Sequence, residues 1–344
     1  MISLQEFSLA ELTEKVLEMK LPKFRAKQLF DMAVRNKEYS EATNLPKAMV
    51  EAVSAEYAAT AVKVYKEFCS KDGTKKYLYE LSDGNIIEGV YMPHGYGDTL
   101  CVSTQVGCRM GCQFCASGIG GLVRNLTAGE ILGQVLLANR LNGGTPEKRA
   151  VTNVVLMGSG EPLDNYDNVI KFLQLVSAPE GINISLRNVS LSTVGIVDKM
   201  RELANSGLAV TMTISLHAPT NDKRKQLIPM NAKYNVIAIM SAAKYYFEKT
   251  RRRLIFEYAM VDGVNSDEES ALELVKLVRG VCCHINLIRL NYVKEKGLPP
   301  ADRDTVARFV EVLEENNVSV TIRRSMGSDI DGACGQLRRK HIGG

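Results

Sequence analysis

Cys108-Arg109-Met110-Gly111-Cys112-Gln113-Phe114-Cys115 puts three thiols in the spacing C-x3-C-x2-C, directly after the strand-like run Leu100-Cys101-Val102-Ser103-Thr104. A [4Fe-4S] cluster normally takes four thiolates, so a tight loop of three with no local fourth implies an iron left open for a small molecule. Structural zinc is the competing reading. It takes four protein ligands, usually as two paired halves, and the only other pair here is Cys282-Cys283. Adjacent residues do not easily grip one ion, so Cys108, Cys112 and Cys115 are expected to hold a cluster.

Composition frames the rest. The chain has 344 residues, 45% hydrophobic and 24% charged, which suits a soluble globular protein of two domains with a substantial core. No run approaches about 18 consecutive apolar residues, and the first residues lack the basic-then-apolar form of a signal peptide. A cytoplasmic chain with no membrane contact is expected. Eight cysteines, three of them clustered, suit a reducing compartment where thiols bind metal or do chemistry. Cys69, Cys282 and Cys283 are expected to be buried as small hydrophobes. The net charge of +4 is mild. Lys223-Arg224-Lys225, Arg251-Arg252-Arg253, Arg323-Arg324 and Arg338-Arg339-Lys340 are short basic runs that can meet a phosphate backbone or simply face solvent.

Outward from the thiol loop the texture changes three times. Residues 1–60 read as a helical module: Leu9, Leu12, Val16 and Met19 recur at helical spacing, and Ala26, Leu29, Phe30 and Ala33 repeat the pattern after Pro22, which suits a helix start. Lys20, Lys23, Arg25, Lys27 and Arg35 give its second helix a positive face, for RNA or for solvent. Residues 61–97 alternate, with turn signals at Asp72-Gly73 and Asp83-Gly84, and read as hairpin strands. Glu88 sits among their apolar residues, and the pattern alone makes it an outward-facing strand residue. From 98 to 344 strands and helices alternate. Thr127-Ala128-Gly129-Glu130 is a capping box, and strands are expected at 153–157, 189–192, 210–214, 254–258, 285–288 and 318–322. This is the α/β pattern of a parallel sheet that right-handed crossovers roll into a full or partial (β/α) barrel.

Ligands in such folds bind at the carboxyl ends of the strands. Those ends are polar here: Gly158-Ser159-Gly160-Glu161-Pro162, Ser192-Thr193-Val194-Gly195, Ser215-Leu216-His217-Ala218-Pro219 and Asn291. Glycines let backbone approach a ligand, and Glu161 can accept hydrogen bonds from an ammonium group. With the thiol loop they describe a cofactor pocket.

The thiol spacing, with Phe114 before the third Cys, resembles the radical S-adenosylmethionine superfamily. Cys101 to Cys108, the thiol loop, Arg124-Asn125-Leu126-Thr127, Gly160-Glu161-Pro162, Ser215 to Pro219, Phe256-Glu257-Tyr258 and Asp329 to Leu337 together resemble the RlmN/Cfr family of radical RNA methyltransferases over nearly the whole chain. Gly160-Glu161-Pro162, and Arg252-Arg253 before Phe256-Glu257-Tyr258, look more like the RlmN branch. The resemblance implies a partial parallel (β/α) barrel with a small helical N-terminal domain. It also implies methylation of adenine C2 in 23S rRNA (adenine 2503) and in some tRNA (adenine 37), the Cfr branch acting on C8 instead. Departures are Ser159 where Met is usual, Tyr292 where Pro is often found, and Gly332 where Ala is common.

By the same resemblance, Cys108, Cys112 and Cys115 hold a [4Fe-4S] cluster, and Gly160, Glu161, Ser192, Ser215, Leu216, His217 and Asn291 hold S-adenosylmethionine, two molecules per turnover. Cys334 carries the methyl group, Cys101 releases the product with formation of a disulfide bond, and Glu88 takes the C2 proton. An electron donor such as flavodoxin or ferredoxin is implied as a partner. Carbon C2 is electron-poor, so ordinary methyl transfer from a sulfonium fails there and radical chemistry is required. Two other classes remain open at this point: an iron-sulfur electron-transfer or redox-sensing protein, and an RNA-binding protein with a structural cluster. Both leave the Cys101 and Cys334 pair unexplained.

Overall fold

The structure, a computed structural model, describes residues 1–291 and 293–337; Tyr292 and the run Arg338-Arg339-Lys340 lie outside the described residues. Helices α1 (Leu9–Glu18), α2 (Arg25–Val34) and α3 (Lys47–Glu56) form the N-terminal module. Ser8 starts α1 with a full capping box: its hydroxyl accepts the Glu11 N–H at 3.2 Å while the Glu11 carboxylate accepts the Ser8 N–H at 2.7 Å, which satisfies two orphan donors. Pro22 lies in the turn before α2 rather than in its first turn. Leu12, Val16, Leu29, Met49 and Val53 close a small core. The expected positive face is partly spent within the fold, since Lys27 pairs with Asp31 and Arg35 with Glu147.

Strands β1 (Val62–Cys69), β2 (Lys75–Leu81) and β3 (Ile86–Met92) then run as an antiparallel meander, turning at the two Asp-Gly pairs. Strand β4 (Asp98–Cys101) pairs with β3 on one side. A two-stranded ribbon, β5 (Gln105–Gly107) and β6 (Leu122–Asn125), brackets the thiol loop. Alternation follows: α4 (Ala128–Leu141), β7 (Val151–Leu156), α5 (Tyr166–Ser177), β8 (Val189–Thr193), α6 (Val197–Asn205), β9 (Thr211–Ser215), α7 (Asn221–Leu227), α8 (Val236–Thr250), β10 (Leu254–Met260), α9 (Glu268–Val278), β11 (Cys283–Arg289), α10 (Arg303–Glu315) and β12 (Val320–Arg323). Among the described residues one ten-stranded sheet runs β1-β2-β3-β4-β7-β8-β9-β10-β11-β12. From β4 to β12 every pairing is parallel. The stretch 61–97 is therefore an antiparallel continuation of the sheet. No ladder joins β1 to β12, so the barrel is partial. No described helix is long and apolar enough to cross a membrane.

The helical module seats on the barrel through α4. Gly129 lies where a Cβ would come within 2.7 Å of the Glu6 carboxylate and 2.9 Å of the Glu6 backbone nitrogen. The missing side chain lets the Gly129 N–H reach Glu6 Oε2 at 2.6 Å, which offsets the roughly 1 kcal/mol that glycine costs inside a helix. Lys171 of α5 adds contacts to Glu6 and Glu11 at 3.8 and 3.1 Å.

Two expectations about surface residues fail. Lys223-Arg224-Lys225 is not a basic patch: Arg224 is fully buried, and Lys223 pairs with Asp267. The guanidinium of Arg224 donates to the carbonyls of Leu216, Val194 and Ser215 at 3.0, 2.6 and 3.1 Å, bracing the loops that leave β8 and β9. Cys69 and Cys282 are exposed and only Cys283 is half-buried; each stands at a strand end or just beyond one, where the ladder gives out and packing does not cover it.

Arg224→Met should lower unfolding free energy by roughly 3–5 kcal/mol, because it strands three buried carbonyls. Denaturant melts check this; a loss under about 1 kcal/mol would mean that water takes over the bonds.

Candidate active site

The strand alternation that buries Leu156, Leu191 and Ile214 at 0–1% exposure leaves the residues just past them free to face the barrel mouth. One cavity, about 890 Å³ including its opening, is lined there by Cys108, Cys112, Cys115, Gly160, Glu161, Ser192, Ser215, His217, Asn291 and Cys334. A volume of this order suits a small-molecule cofactor. Leu216 does not line it. Its side chain is wholly buried in the main core, because alternation turns it away from its neighbours Ser215 and His217.

Glu161 is 3% exposed, and its carboxylate accepts the N–H groups of Leu163 at 3.1 Å and Val194 at 2.8 Å. Burial nevertheless pushes its pKa up to about 7; a ligand cation would favour the ionised form. Gly160 sits at φ 113°, and a Cβ there would lie 2.7–2.8 Å from Thr104 and Gln105. Only glycine lets the strand end turn this close. His217 has a left-handed backbone at φ 56° and is held by Asn265, which donates to its carbonyl at 2.6 Å. Its Nδ1 accepts the Ala259 N–H at 2.9 Å. Burial, and then the charge of Arg224, depress its pKa to about 3. The ring is therefore neutral with its proton on Nε2, a donor for a ligand, and it meets Phe114 edge-on at 4.6 Å. Ser192 and Ser215 bring their hydroxyls 3.4 Å apart.

Burial drives the Cys112 thiol well above its usual pKa and Cys108 up to about 12, with the neighbouring sulfurs adding to both. Such thiols ionise only against a bound cation. Among the described residues no three His, Cys, Asp or Glu groups converge as a single-ion site. The three thiols line one cavity, a donor set that fits an iron-sulfur cluster.

The segment carrying Cys334 is tied to the same loop. Ala116 N–H donates to the Gly335 carbonyl and the Ser117 hydroxyl to the Leu337 carbonyl, both at 2.8 Å. Asn291 Nδ2 donates to the Cys334 carbonyl at 3.0 Å, so this expected cofactor residue also ties down the Cys334 segment. A second cavity lies behind, lined by Val90, Met92, Cys101, Met157, Asn291, Arg323, Arg324 and Cys334. Cys334 thus lines both cavities and Cys101 only the second. All eight cysteines are free, so the expected disulfide bond is not a link in this structure. Both thiols are held protonated by burial, Cys101 at about 12 and Cys334 at about 11.

Glu88 lines neither cavity. It is buried on β3, 3.6 Å from Lys76 Nζ, which also donates to the Asp331 carbonyl at 3.3 Å. Its strand period places it on the face of Val90, which does line the second cavity. Two residues were missed from sequence. Glu257 of β10 lines the first cavity, and Arg323 of β12 reaches it at 2.8 Å. Glu257 was visible only inside a family motif, and Arg323 only inside a basic run.

The model of the Radical SAM superfamily matches residues 102–275. Among curated relatives, the "Probable dual-specificity RNA methyltransferase RlmN" of Clostridium perfringens (strain 13 / Type A) is 47% identical over 345 residues, covering 99% of this chain and 98% of that protein. The protein of the same description from Alkaliphilus metalliredigens (strain QYMF) is 45% identical over 343 residues, covering 99% and 96%. Among solved structures, a radical SAM methyltransferase from Sphaerobacter thermophilus superposes with a TM-score of 0.95 at 38% identity, covering 99% of this chain and 100% of that one. A strand-end pocket fed by a three-thiol loop, on a fold shared end to end with these relatives, makes this chain an S-adenosylmethionine-dependent enzyme that belongs to the radical SAM superfamily and, within it, to the RlmN-type RNA methyltransferases.

Proposed function

We propose that the enzyme methylates C2 of adenine, at adenine 2503 of 23S rRNA and adenine 37 of tRNA, through a methyl group carried on Cys334. The observation that supports this most is the position of Cys334, between a cavity facing three thiols and a second cavity holding Cys101. Residues 98–344 are the catalytic core, 61–97 an extension of its sheet, and 1–60 an accessory module that meets RNA. The enzyme works in the cytoplasm with a flavodoxin- or ferredoxin-like donor.

Cys108, Cys112 and Cys115 hold a [4Fe-4S] cluster. When bound, that cluster supplies the electron that cleaves S-adenosylmethionine, two molecules of which are used per turnover. Glu161 takes the ammonium group of the cofactor, His217 donates from Nε2, and Ser192 and Ser215 offer hydroxyls to polar groups between them. Gly160 and the backbone of Leu216 let the ligand lie close to the strand ends, and Asn291 holds both ligand and the Cys334 segment. Glu88 accepts the C2 proton, and Cys101 attacks the sulfur of Cys334 to free the methylated base. The target base must leave its stack to reach these groups.

Mass spectrometry of RNA after anaerobic reaction tests the reading: 2-methyladenosine is expected, and 8-methyladenosine or no methylated product would refute it. Cys112→Ala should lose the cluster's absorption and all 5′-deoxyadenosine formation; retained cleavage would sink the ligand assignment. Cys101→Ala should stall with RNA joined to Cys334 through a thioether, seen as a mass increase on that peptide; normal turnover would remove Cys101 from the release step. The Glu161 carboxyl, with its pKa raised to about 7, must be ionised to pair with an ammonium group. Cofactor affinity should therefore weaken several-fold as pH falls from 7.5 to 6, and calorimetry should show that slope vanish in Glu161→Gln.

A further inference from the structure

We propose that Arg323, held in place by Glu257, is a positioning residue that stabilises the thiolate of Cys101 for the release step. The proposal rests on the reading of Cys101 as the thiol that attacks Cys334. Release requires a sulfur–sulfur bond to form between them while the bond from Cys334 sulfur to the transferred carbon breaks. The electron pair of that bond goes to the carbon, which takes up a proton, and the resulting disulfide is reset by a dithiol reductant. Only the thiolate of Cys101 can start this.

The surroundings of Cys101 work against ionisation. It is 8% exposed, packed with Val90 and Leu337, and burial together with the neighbouring Cys334 raises its pKa. Two features oppose that. The Met157 backbone N–H favours its ionised form, and Arg323 lines the same cavity. Arg323 crosses the barrel interior from the last strand: its Nη1 donates to Glu257 Oε1 at 2.8 Å and to Met157 Sδ at 3.4 Å. That one nitrogen is thus held between Glu257 and Met157, and Met157 lines the cavity with Cys101. The charged and titratable groups around Cys101 are Cys334 on the last loop, Arg323 and the exposed Arg324 at the end of β12, Glu257 on β10, and the Lys76–Glu88 pair on β2 and β3. Arg323 lowers the Cys101 pKa while Glu257 raises it, the arginine more strongly.

A brace that only stiffens the barrel would make no distinction between removing one charge and removing the other; an electrostatic role does. The test measures carbamidomethylation of Cys101 by peptide mass spectrometry on the full-length enzyme, anaerobically, without S-adenosylmethionine or RNA, from pH 7 to 9.5. Glu257→Gln should react faster than wild type. The neutral pair Glu257→Gln/Arg323→Gln, which keeps shape and leaves no unpaired charge, should react more slowly than wild type. Arg323→Lys should stay near wild type. Each unit of pKa rise removes tenfold of the thiolate, and greater intrinsic nucleophilicity returns part of it, so about threefold slower reaction per unit is expected. The double variant reacting as fast as wild type, or both variants shifting in the same direction, overturns the proposal.

A second readout uses turnover with RNA. The double variant should accumulate the covalent protein–RNA species at pH 7 and release it as pH rises, whereas Cys101→Ala releases it at no pH; absence of that accumulation also overturns the proposal. If the wild-type enzyme itself places no methyl on Cys334, the reading of the function fails, and the alkylation order still decides the role of Arg323.

Discussion

The hydrogen bonds from Ala116 to the Gly335 carbonyl and from Ser117 to the Leu337 carbonyl tie the two ends of the core together. One partner follows the thiol loop directly and the other follows Cys334. A short cluster loop and a segment more than two hundred residues later become neighbours only because the parallel strands between them curve round to bring β12 back toward β4. The thiol loop, Cys334 and Cys101 therefore come close only because the sheet curls into a partial barrel. The strand-end residues set one wall, and these two bonds set the distance to the other.

Much of this was legible along the chain. The capping boxes at Ser8 and Thr127 have local physics, since three residues decide them, and the thiol spacing is equally local. The polar residues gathered after the strands pointed to Glu161, Ser192, Ser215 and His217 as pocket residues, and all four line the first cavity. Leu216, expected in the cofactor site from the family resemblance alone, fills the core instead, as strand alternation between Ser215 and His217 requires. Glu88 was read by pattern as facing outward, yet it is buried with Lys76. Alternation tells that two faces exist without telling which of them the far side of a barrel will cover.

Charge was the least legible property. Four basic runs looked equivalent in sequence, and two of them contain an arginine that serves the interior. Arg224 binds carbonyls that the departing strands β8 and β9 leave without a ladder partner, and Arg323 spans the barrel to Glu257. Ser215 and Leu216 lie close before Arg224, but Val194 and the Glu257 that pairs with Arg323 are distant in sequence, so no short window of the chain holds the whole reason for either charge. What marks these positions is the geometry of polar groups at strand ends, where each unpaired carbonyl asks for a donor.

Among the described residues no ladder joins β1 to β12, which leaves a seam in the barrel wall. Along that seam the last loop is fastened by Ser70 and Lys71 to Asp329 and by Asp72 to the Gly327 N–H, contacts made largely by exposed groups. Between exposed groups such bonds are individually weak, and parting them exposes no row of unsatisfied strand backbone. Separating any two paired strands would instead break a cooperative ladder and uncover core. The seam is thus the line along which the wall yields at least energetic cost, and the loop that closes it also lines the cavity shared by Cys101 and Cys334.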